Sequence, residues 1–182
     1  MNQTQSAFLS NTVPAALAMQ RQYSVPASIT LAQAILESGW GQTALAKQAN
    51  NFFGIKAIYF ADPKSYIEFP TKEFVDGRAV MELAKFARYP SPAQSFAAHA
   101  QLLSLAERYK PAMAVAHDPE AFAMELQQCG YSTNPGYAVS LMQLVAEFDL
   151  TQYDEQPAAQ PAAEPDRAPD GAAPAAEPST QD

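Results

Sequence analysis

AQAILESGWGQTALAKQANNFFGIK, residues 32 to 56, decides the fold. A nearly all-apolar run from Ile29 to Leu36 ends in the carboxylate of Glu37, and the turn Ser38-Gly39-Trp40-Gly41 follows at once. Pro26, just after Ser24-Val25, suits the first turn of a helix that reaches about Ser38. A carboxylate at the end of a buried helix costs several kcal/mol unless it is neutral or paired. Burial raises a carboxyl pKa, and a general acid works best near the working pH. Glu37 is therefore a candidate proton donor, of the kind glycosidic bond cleavage needs on its leaving oxygen. The competing reading is an exposed helix-end glutamate with the glycines as a plain C-cap.

Outward from this stretch the chain reads as mostly helical. Apolar positions Phe8, Val13, Leu17 and Met19 mark a helix over 5–22, with Pro14 as a kink or second start. Thr43 caps a short helix over 44–48. Ser91-Pro92, Asp118-Pro119 and Asn134-Pro135 each read as an N-cap followed by proline at the first helical position. They open helices over about 92–108, 119–128 and 135–148, and Gly130 stands where a glycine should end the second. Between Ser65 and Tyr89 the pattern alternates, and Asp76-Gly77 is a two-residue hairpin signal. The fold class expected is α+β, mostly helical, with a small β-hairpin lobe.

The 182 residues carry a net charge of -8, and Asp154 to Asp182 hold seven acids against the single base Arg167. Residues 154–182 have no aromatic and no aliphatic side chain larger than alanine, so they are expected to be a disordered acidic Pro/Ala-rich tail behind a domain at 1–153. No basic stripe is present, which argues against nucleic acid as a partner. The lone Cys129 allows no intrachain disulfide. His99 and His117 show no metal-ligand spacing, so no metal and no cofactor are expected. No segment reads as a signal peptide or reaches spanning length, which leaves a cell-wall substrate to be reached by a specialised export route.

Around Glu37, further groups have the right chemistry. Glu73 lies on the expected hairpin, opposite in alternation to Phe74, where it can bring a second carboxylate over a cleft; the bland alternative is a solvated strand charge. Trp40 and Tyr131 are candidate cleft walls for the apolar faces of sugar rings. Tyr137, Asn51 and Tyr66 complete the candidate substrate-binding set, although Asn50-Asn51 also suits a scaffold role.

The segments AQAILESGWGQTALAKQANNFFGIK, TKEFVDG, ARYPSPAQSFAAHAQLL and GYSTNPGYAVSLMQLV closely resemble, in order, glycoside hydrolase family 73, bacterial N-acetylglucosaminidases that cut peptidoglycan. The resemblance covers about Ala7 to Leu150. It implies a lysozyme-like fold with the hairpin lobe beside a substrate groove. It implies Glu37 as general acid, Glu73 as the hairpin carboxylate and Tyr131 as the cleft tyrosine. The implied reaction splits the β-1,4 bond between N-acetylglucosamine and N-acetylmuramic acid. Where the family often reads Tyr-Ala-Thr-Asp-Pro, this chain reads Tyr131-Ser132-Thr133-Asn134-Pro135, which removes an acid but keeps a cap. Two chemistries remain open: inversion with Glu73 as base, and substrate assistance by the 2-acetamido group with Tyr131 positioning it. The alternatives are a lytic transglycosylase and a non-catalytic peptidoglycan-binding module. An injected antibacterial effector, such as a type VI secretion effector with a cognate immunity protein occluding the groove, fits the missing signal, as do flagellar export and phage lysis.

Overall fold

The computed structural model describes residues 1–57, 65–75 and 78–155, with the backbone alone over 72–75 and 78–80. Helix α1 (Gln3–Tyr23) opens on a reciprocal cap: Asn2 Oδ1 accepts from the Gln5 amide at 3.0 Å, and Gln5 Oε1 accepts from the Asn2 amide at 2.8 Å. It runs through Pro14 without a second start and stops at Ser24, where φ is 58°.

Helix α2 (Ala27–Ser38) is the centre of the molecule. Every residue from Ala27 to Ile35 is buried. A helix apolar on all sides must be wrapped by others, and α1 packs on one side while α7 (Tyr137–Glu147) and the 3-10 turn Leu150–Tyr153 pack on another. No side chain of its own caps α2. Asp154 does so from the far end of the chain, its Oδ1 accepting from the Ser28 amide at 2.8 Å. Gln20 Oε1 accepts from both the Ala27 and Glu155 amides at 3.3 Å. Asp154 and Glu155 are therefore tied to the folded unit by these hydrogen bonds. Residues 156–182, where the tail was expected, lie outside the described residues.

Helix α3 (Ala44–Ala49) starts at Thr43, whose Oγ1 accepts from the Ala46 amide. Helix α4 (Pro92–Leu105) is capped by Ser91 and ends three residues before its expected limit. A 3-10 turn at Glu107–Tyr109 and a short helix α5 (Lys110–Ala114), absent from the sequence reading, follow it. Helix α6 (Pro119–Gln128) is capped by Asp118, and Gly130 follows with φ 73°. Helix α7 begins two residues later than Asn134-Pro135 predicts. Asn134 Oδ1 accepts from the Gly136 amide at 2.9 Å and closes a turn in front of the helix instead of capping it. Phe96, Leu103, Phe122, Leu126 and Leu141 fill the core around α2.

The hairpin is an antiparallel pair, β1 (Tyr66–Val75) with β2 (Arg78–Ala87). Val75 pairs with Arg78, which leaves two residues at the tip; the expected Asp76-Gly77 turn falls outside the described residues. Phe86 and Ala87 are buried at the base, where the Ala87 amide donates to the Ile55 carbonyl and the Ala57 amide to the Lys85 carbonyl, each at 2.9 Å. Met81 and Leu83 remain exposed on the opposite face of β2.

Candidate active site

Glu37 is the penultimate residue of α2, and the turn behind it is tightly built. Gly39, Trp40 and Gly41 are all left-handed, with φ of 54°, 61° and 71°. Ser38 Oγ donates to the Ala34 carbonyl and accepts from the Gly41 amide at 2.8 Å. The Thr43 amide donates to the Ser38 carbonyl at 3.0 Å. A Cβ on Gly41 would meet Phe52 and Phe8 at 3.3–3.4 Å, so glycine is required there by both conformation and space. A non-glycine left-handed residue costs roughly 1–2 kcal/mol, and Trp40 carries that strain.

Glu37 itself is exposed at the surface, not buried in the helix as the sequence predicts. Leu36 is also exposed, at 41 %, and does not pack beneath it. The helix turns both outward at the end of its buried run. Yet the surrounding protein still excludes enough water to raise the Glu37 carboxyl above its ordinary value. These facts describe a surface carboxyl that neighbouring protein shields in part from water.

Close enough to Glu37 to feel its charge stands a column of rings. Tyr131 and Tyr137 stack at 5.5 Å, and Tyr109 lies 6.0 Å from Tyr131. His99 meets Tyr131 edge-on at 5.9 Å and stacks flat on Phe53 at 3.9 Å. Burial pushes the Tyr131 hydroxyl well above its ordinary range, with smaller contributions from Tyr137, Glu37 and Tyr109. Burial also raises Tyr137, against the opposing pull of a Gln33 hydrogen bond. Both phenols therefore stay protonated and can donate a hydrogen bond toward a ligand or toward Glu37 only as neutral groups. His99 is fully buried, and burial lowers it to about 3, so it is a neutral ring.

The candidate residues separate by position. Glu37 and the half-buried Tyr131 come together at the groove. Tyr137 is 2 % exposed and backs Tyr131 without facing solvent. Asn51 is 1 % exposed; its amide donates to the Ile55 and Ala87 carbonyls and its oxygen accepts from the Phe53 and Ile55 amides. That ties the loop to the hairpin base and leaves Asn51 no group for a ligand, so it leaves the substrate-binding set. Trp40 packs edge-on against Phe8 at 5.5 Å and Phe148 at 4.7 Å, away from the tyrosine column. Tyr66 lies under the Lys85 ammonium at 4.3 Å on the hairpin. Glu73 pairs with Val80 in the ladder and shares the alternation of Phe69, whose ring meets the buried Phe86 at 6.4 Å.

Two contributors were not singled out in the sequence. Gln33, one helical turn before Glu37, is fully buried and donates from Nε2 to the Tyr137 hydroxyl at 2.8 Å. Its signal was a lone amide inside an apolar run. Arg108 donates from Nε and Nη2 to the Cys129 carbonyl at 3.2 and 2.7 Å, and from Nη2 to the Gly130 carbonyl at 2.5 Å, fixing the approach to Tyr131. Among the described residues no group of three His, Cys, Asp or Glu side chains could hold a metal ion, and no helix is long and apolar enough to cross a membrane.

A model of the glucosaminidase family, described as mannosyl-glycoprotein endo-beta-N-acetylglucosaminidase, matches residues 13–150. The exo-glucosaminidase LytG of Bacillus subtilis is 37 % identical over 156 residues, which is 83 % of this chain and 54 % of LytG. The peptidoglycan hydrolase FlgJ of Pseudomonas aeruginosa is 36 % identical over 149 residues, 80 % of this chain and 37 % of FlgJ. The chain thus spans about half or less of these relatives. The catalytic domain of the autolysin Auto from Listeria monocytogenes superimposes with a TM-score of 0.74 at 31 % identity, covering 85 % of this chain and 89 % of that domain. The expected mostly helical, lysozyme-like α+β fold is borne out.

Proposed function

This chain belongs to the glucosaminidase family, and from that premise we propose that it hydrolyses the β-1,4 bond between N-acetylglucosamine and N-acetylmuramic acid in peptidoglycan. The observation that carries the reading is Glu37: a helix-end carboxyl, raised by its surroundings, beside the neutral Tyr131 phenol. A carboxyl whose surroundings favour the protonated form can hand its proton to the leaving oxygen as the glycosidic bond breaks. LytG and FlgJ, named for glucosaminidase and peptidoglycan hydrolase activity, support the same substrate class.

The second group in the reaction is either Glu73, acting as base on a water, or the substrate's own acetamido oxygen. In the first case water attacks the sugar carbon while Glu37 protonates the departing oxygen, and the anomer inverts. In the second the acetamido oxygen bonds to the sugar carbon as the glycosidic bond breaks, Glu37 protonates the leaving oxygen, and Tyr131 steadies the acetamido group. Water then attacks the same carbon, displacing the acetamido oxygen and giving its proton to Glu37, with net retention. Support for Glu73 as the hairpin carboxylate comes from the backbone register of β1, which pairs it with Val80 near the hairpin tip. Proton NMR of the first product distinguishes the two by its anomer.

Zymography on purified sacculi tests the central assignment. Wild-type protein clears the gel, and Glu37→Gln, which keeps shape but cannot donate the proton, leaves it intact. Clearing by Glu37→Gln at the wild-type rate would sink the assignment. Mass spectrometry of the products adds the alternative: a 1,6-anhydro end instead of a reducing end marks a lytic transglycosylase. Because the substrate lies in the wall, export precedes action. An immunity protein that occludes the groove, if this is an injected effector, would compete with the glycan for Glu37 and Tyr131.

A further inference from the structure

A cavity of about 670 Å³ opens beside Trp40, Gly41 and Gln42, between the start of α1 and the start of α4. Neither Glu37 nor Tyr131 nor Tyr137 lines it, so it is separate from the catalytic groove. Its aromatic surface comes from Trp40, Phe8 and Phe52, with Trp40 half-buried and standing edge-on to Phe8. Its polar side chains are the primary amides of Gln3 and Asn11 on α1 and Gln42 on the turn, together with the hydroxyls of Thr4, Thr12 and Ser91. No Asp, Glu, Lys, Arg or His lines it.

This composition selects a ligand class. A phosphate or carboxylate ligand would call for arginine or lysine, and a cation for carboxylates. A purely apolar ligand would leave three amides facing it without partners. An uncharged saccharide matches both surfaces: its C–H face lies on the aromatic rings, and its hydroxyl and acetamido groups pair with amides that both donate and accept. The volume falls in the range of ordinary small-ligand sites. Within peptidoglycan, the lactyl group of N-acetylmuramic acid carries a bulky, charged peptide stem or, where that is removed, a free carboxylate, whereas N-acetylglucosamine is neutral. We infer that this cavity is a second glycan site, which takes an N-acetylglucosamine unit of a strand outside the catalytic groove.

The inference rests on the peptidoglycan reading and adds a second point of attachment to it. Two contacts on one polymer turn the second binding event into an intramolecular one and lengthen residence on an insoluble wall. The cavity also shares Trp40 with the left-handed turn that fixes the end of α2, so an occupant bears on the turn behind Glu37.

Trp40 is the sole tryptophan of the chain, so intrinsic emission reports on this cavity directly. The probe is the β-1,4-linked tetramer of N-acetylglucosamine, titrated into the Glu37→Gln protein so that no hydrolysis intervenes. A saturable change in Trp40 emission is expected. Asn11→Ala combined with Gln42→Ala in the same background should weaken it at least tenfold, which is about 1.4 kcal/mol. Both residues are exposed, and circular dichroism verifies that the fold is kept. As a second readout, the amide NMR signals of Gln42 and Ala93 should move with the tetramer. No saturable change up to the solubility limit overturns the inference. So does a response that survives both substitutions unaltered, or NMR shifts confined to the Tyr131 loop, since each places binding in the groove alone. Failure of wild-type protein to clear sacculi would instead strike the peptidoglycan reading, which this titration does not measure.

Discussion

Gln33 Nε2 donates a 2.8 Å hydrogen bond to the Tyr137 hydroxyl across 104 positions of sequence, and neither side chain is reachable by solvent. The bond joins the helix that ends in Glu37 to the helix that follows the Tyr131 loop. It aligns the two halves of the groove from beneath. Gln33→Met leaves a buried phenol without its partner, which costs about 1–3 kcal/mol. Thermal denaturation should show a fall in Tm of roughly 2–12 °C, at about 2–4 °C per kcal/mol for a chain of this size. Tyr137→Phe in the same background should recover part of the loss, because the orphaned hydroxyl is then gone. Additive losses in the double variant would mean that the two groups do not act as a pair.

Glu37 is predicted to be a cost to stability that grows with pH. Its folded pKa is raised above the unfolded value by burial. The folded state then binds the proton more tightly, so stability is highest where the carboxyl is protonated and declines as pH rises through the folded pKa. Glu37→Gln removes this charge. Its Tm should exceed wild type at pH 7 and converge with it at pH 4, while activity is lost. A Tm below wild type at pH 7 would mean that the ionised carboxylate has a stabilising partner. In wild type, the alkaline limb of the activity profile should track the same group, since only the protonated form is the acid.

His99 predicts the opposite slope. Among the described residues neither ring nitrogen has a hydrogen-bond partner, and burial lowers the group from 6.5 to about 3. The unfolded chain takes up the proton first, so the neutral ring's contribution is complete above about pH 6.5. It is lost as pH falls toward 3, at about 1.4 kcal/mol per pH unit. The rings against it are Tyr131, neutral over this range, and Phe53, which does not titrate. Denaturant melts between pH 7 and 4 should therefore show a steep loss that His99→Phe flattens, while keeping the stack on Phe53. An unchanged slope in that variant would assign the acid sensitivity elsewhere.

What the sequence made legible was local. The apolar run into Glu37, the glycine turn and the caps at Thr43, Ser91 and Asp118 each lie within a few residues of what they control. The hairpin followed from alternation and register. Asn134 was misjudged because asparagine serves equally as a cap or as the closer of a turn, and only the position of Gly136 decides. Burial around Glu37 was overestimated because an apolar neighbour in sequence, Leu36, points outward at the helix end. Asn51 had the right chemistry for a sugar, but its hydrogen bonds give it to a loop, and Trp40 joins an aromatic cluster beside a separate cavity. Gln33 and Tyr137, or Ser28 and Asp154, are separated by more than a hundred residues, and no periodicity encodes such a pairing.

Asp154 should be the last residue the fold can spare. Its Oδ1 takes the place of the missing N-cap of α2, and an N-cap replaced by alanine costs about 0.5–2 kcal/mol. Asp154→Ala should lower Tm by about 1–8 °C, at 2–4 °C per kcal/mol. Glu155→Gln, which breaks only the exposed pair with Arg21, should leave Tm within error. A chain ending at 155 should melt like the full chain, and one ending at 153 should melt like Asp154→Ala. Equal Tm for all four proteins would remove Asp154 from the capping role.

Arg108 offers a way to loosen Tyr131 without touching it. Its guanidinium grips the Cys129 and Gly130 carbonyls, and Gly130 leaves room for the approach: a Cβ there would lie 3.1 Å from Arg108 Nη2. The fork also lies 4.8 Å from the centre of the Tyr109 ring, which in turn leans on Tyr131. Arg108→Lys keeps the charge but loses the fork, since a point-like ammonium cannot span two carbonyls in one plane. The arginine is solvent-exposed, so the fold should tolerate the change with a small drop in Tm. The Tyr131 loop, however, should sample more positions, and a catalytic group misplaced by about 1 Å can cost up to 10²-fold in rate. Steady-state hydrolysis of soluble glycan strands should then show kcat reduced several-fold with KM little altered. Should KM rise while kcat stays put, the loop governs substrate binding and Tyr131 has no part in the transition state.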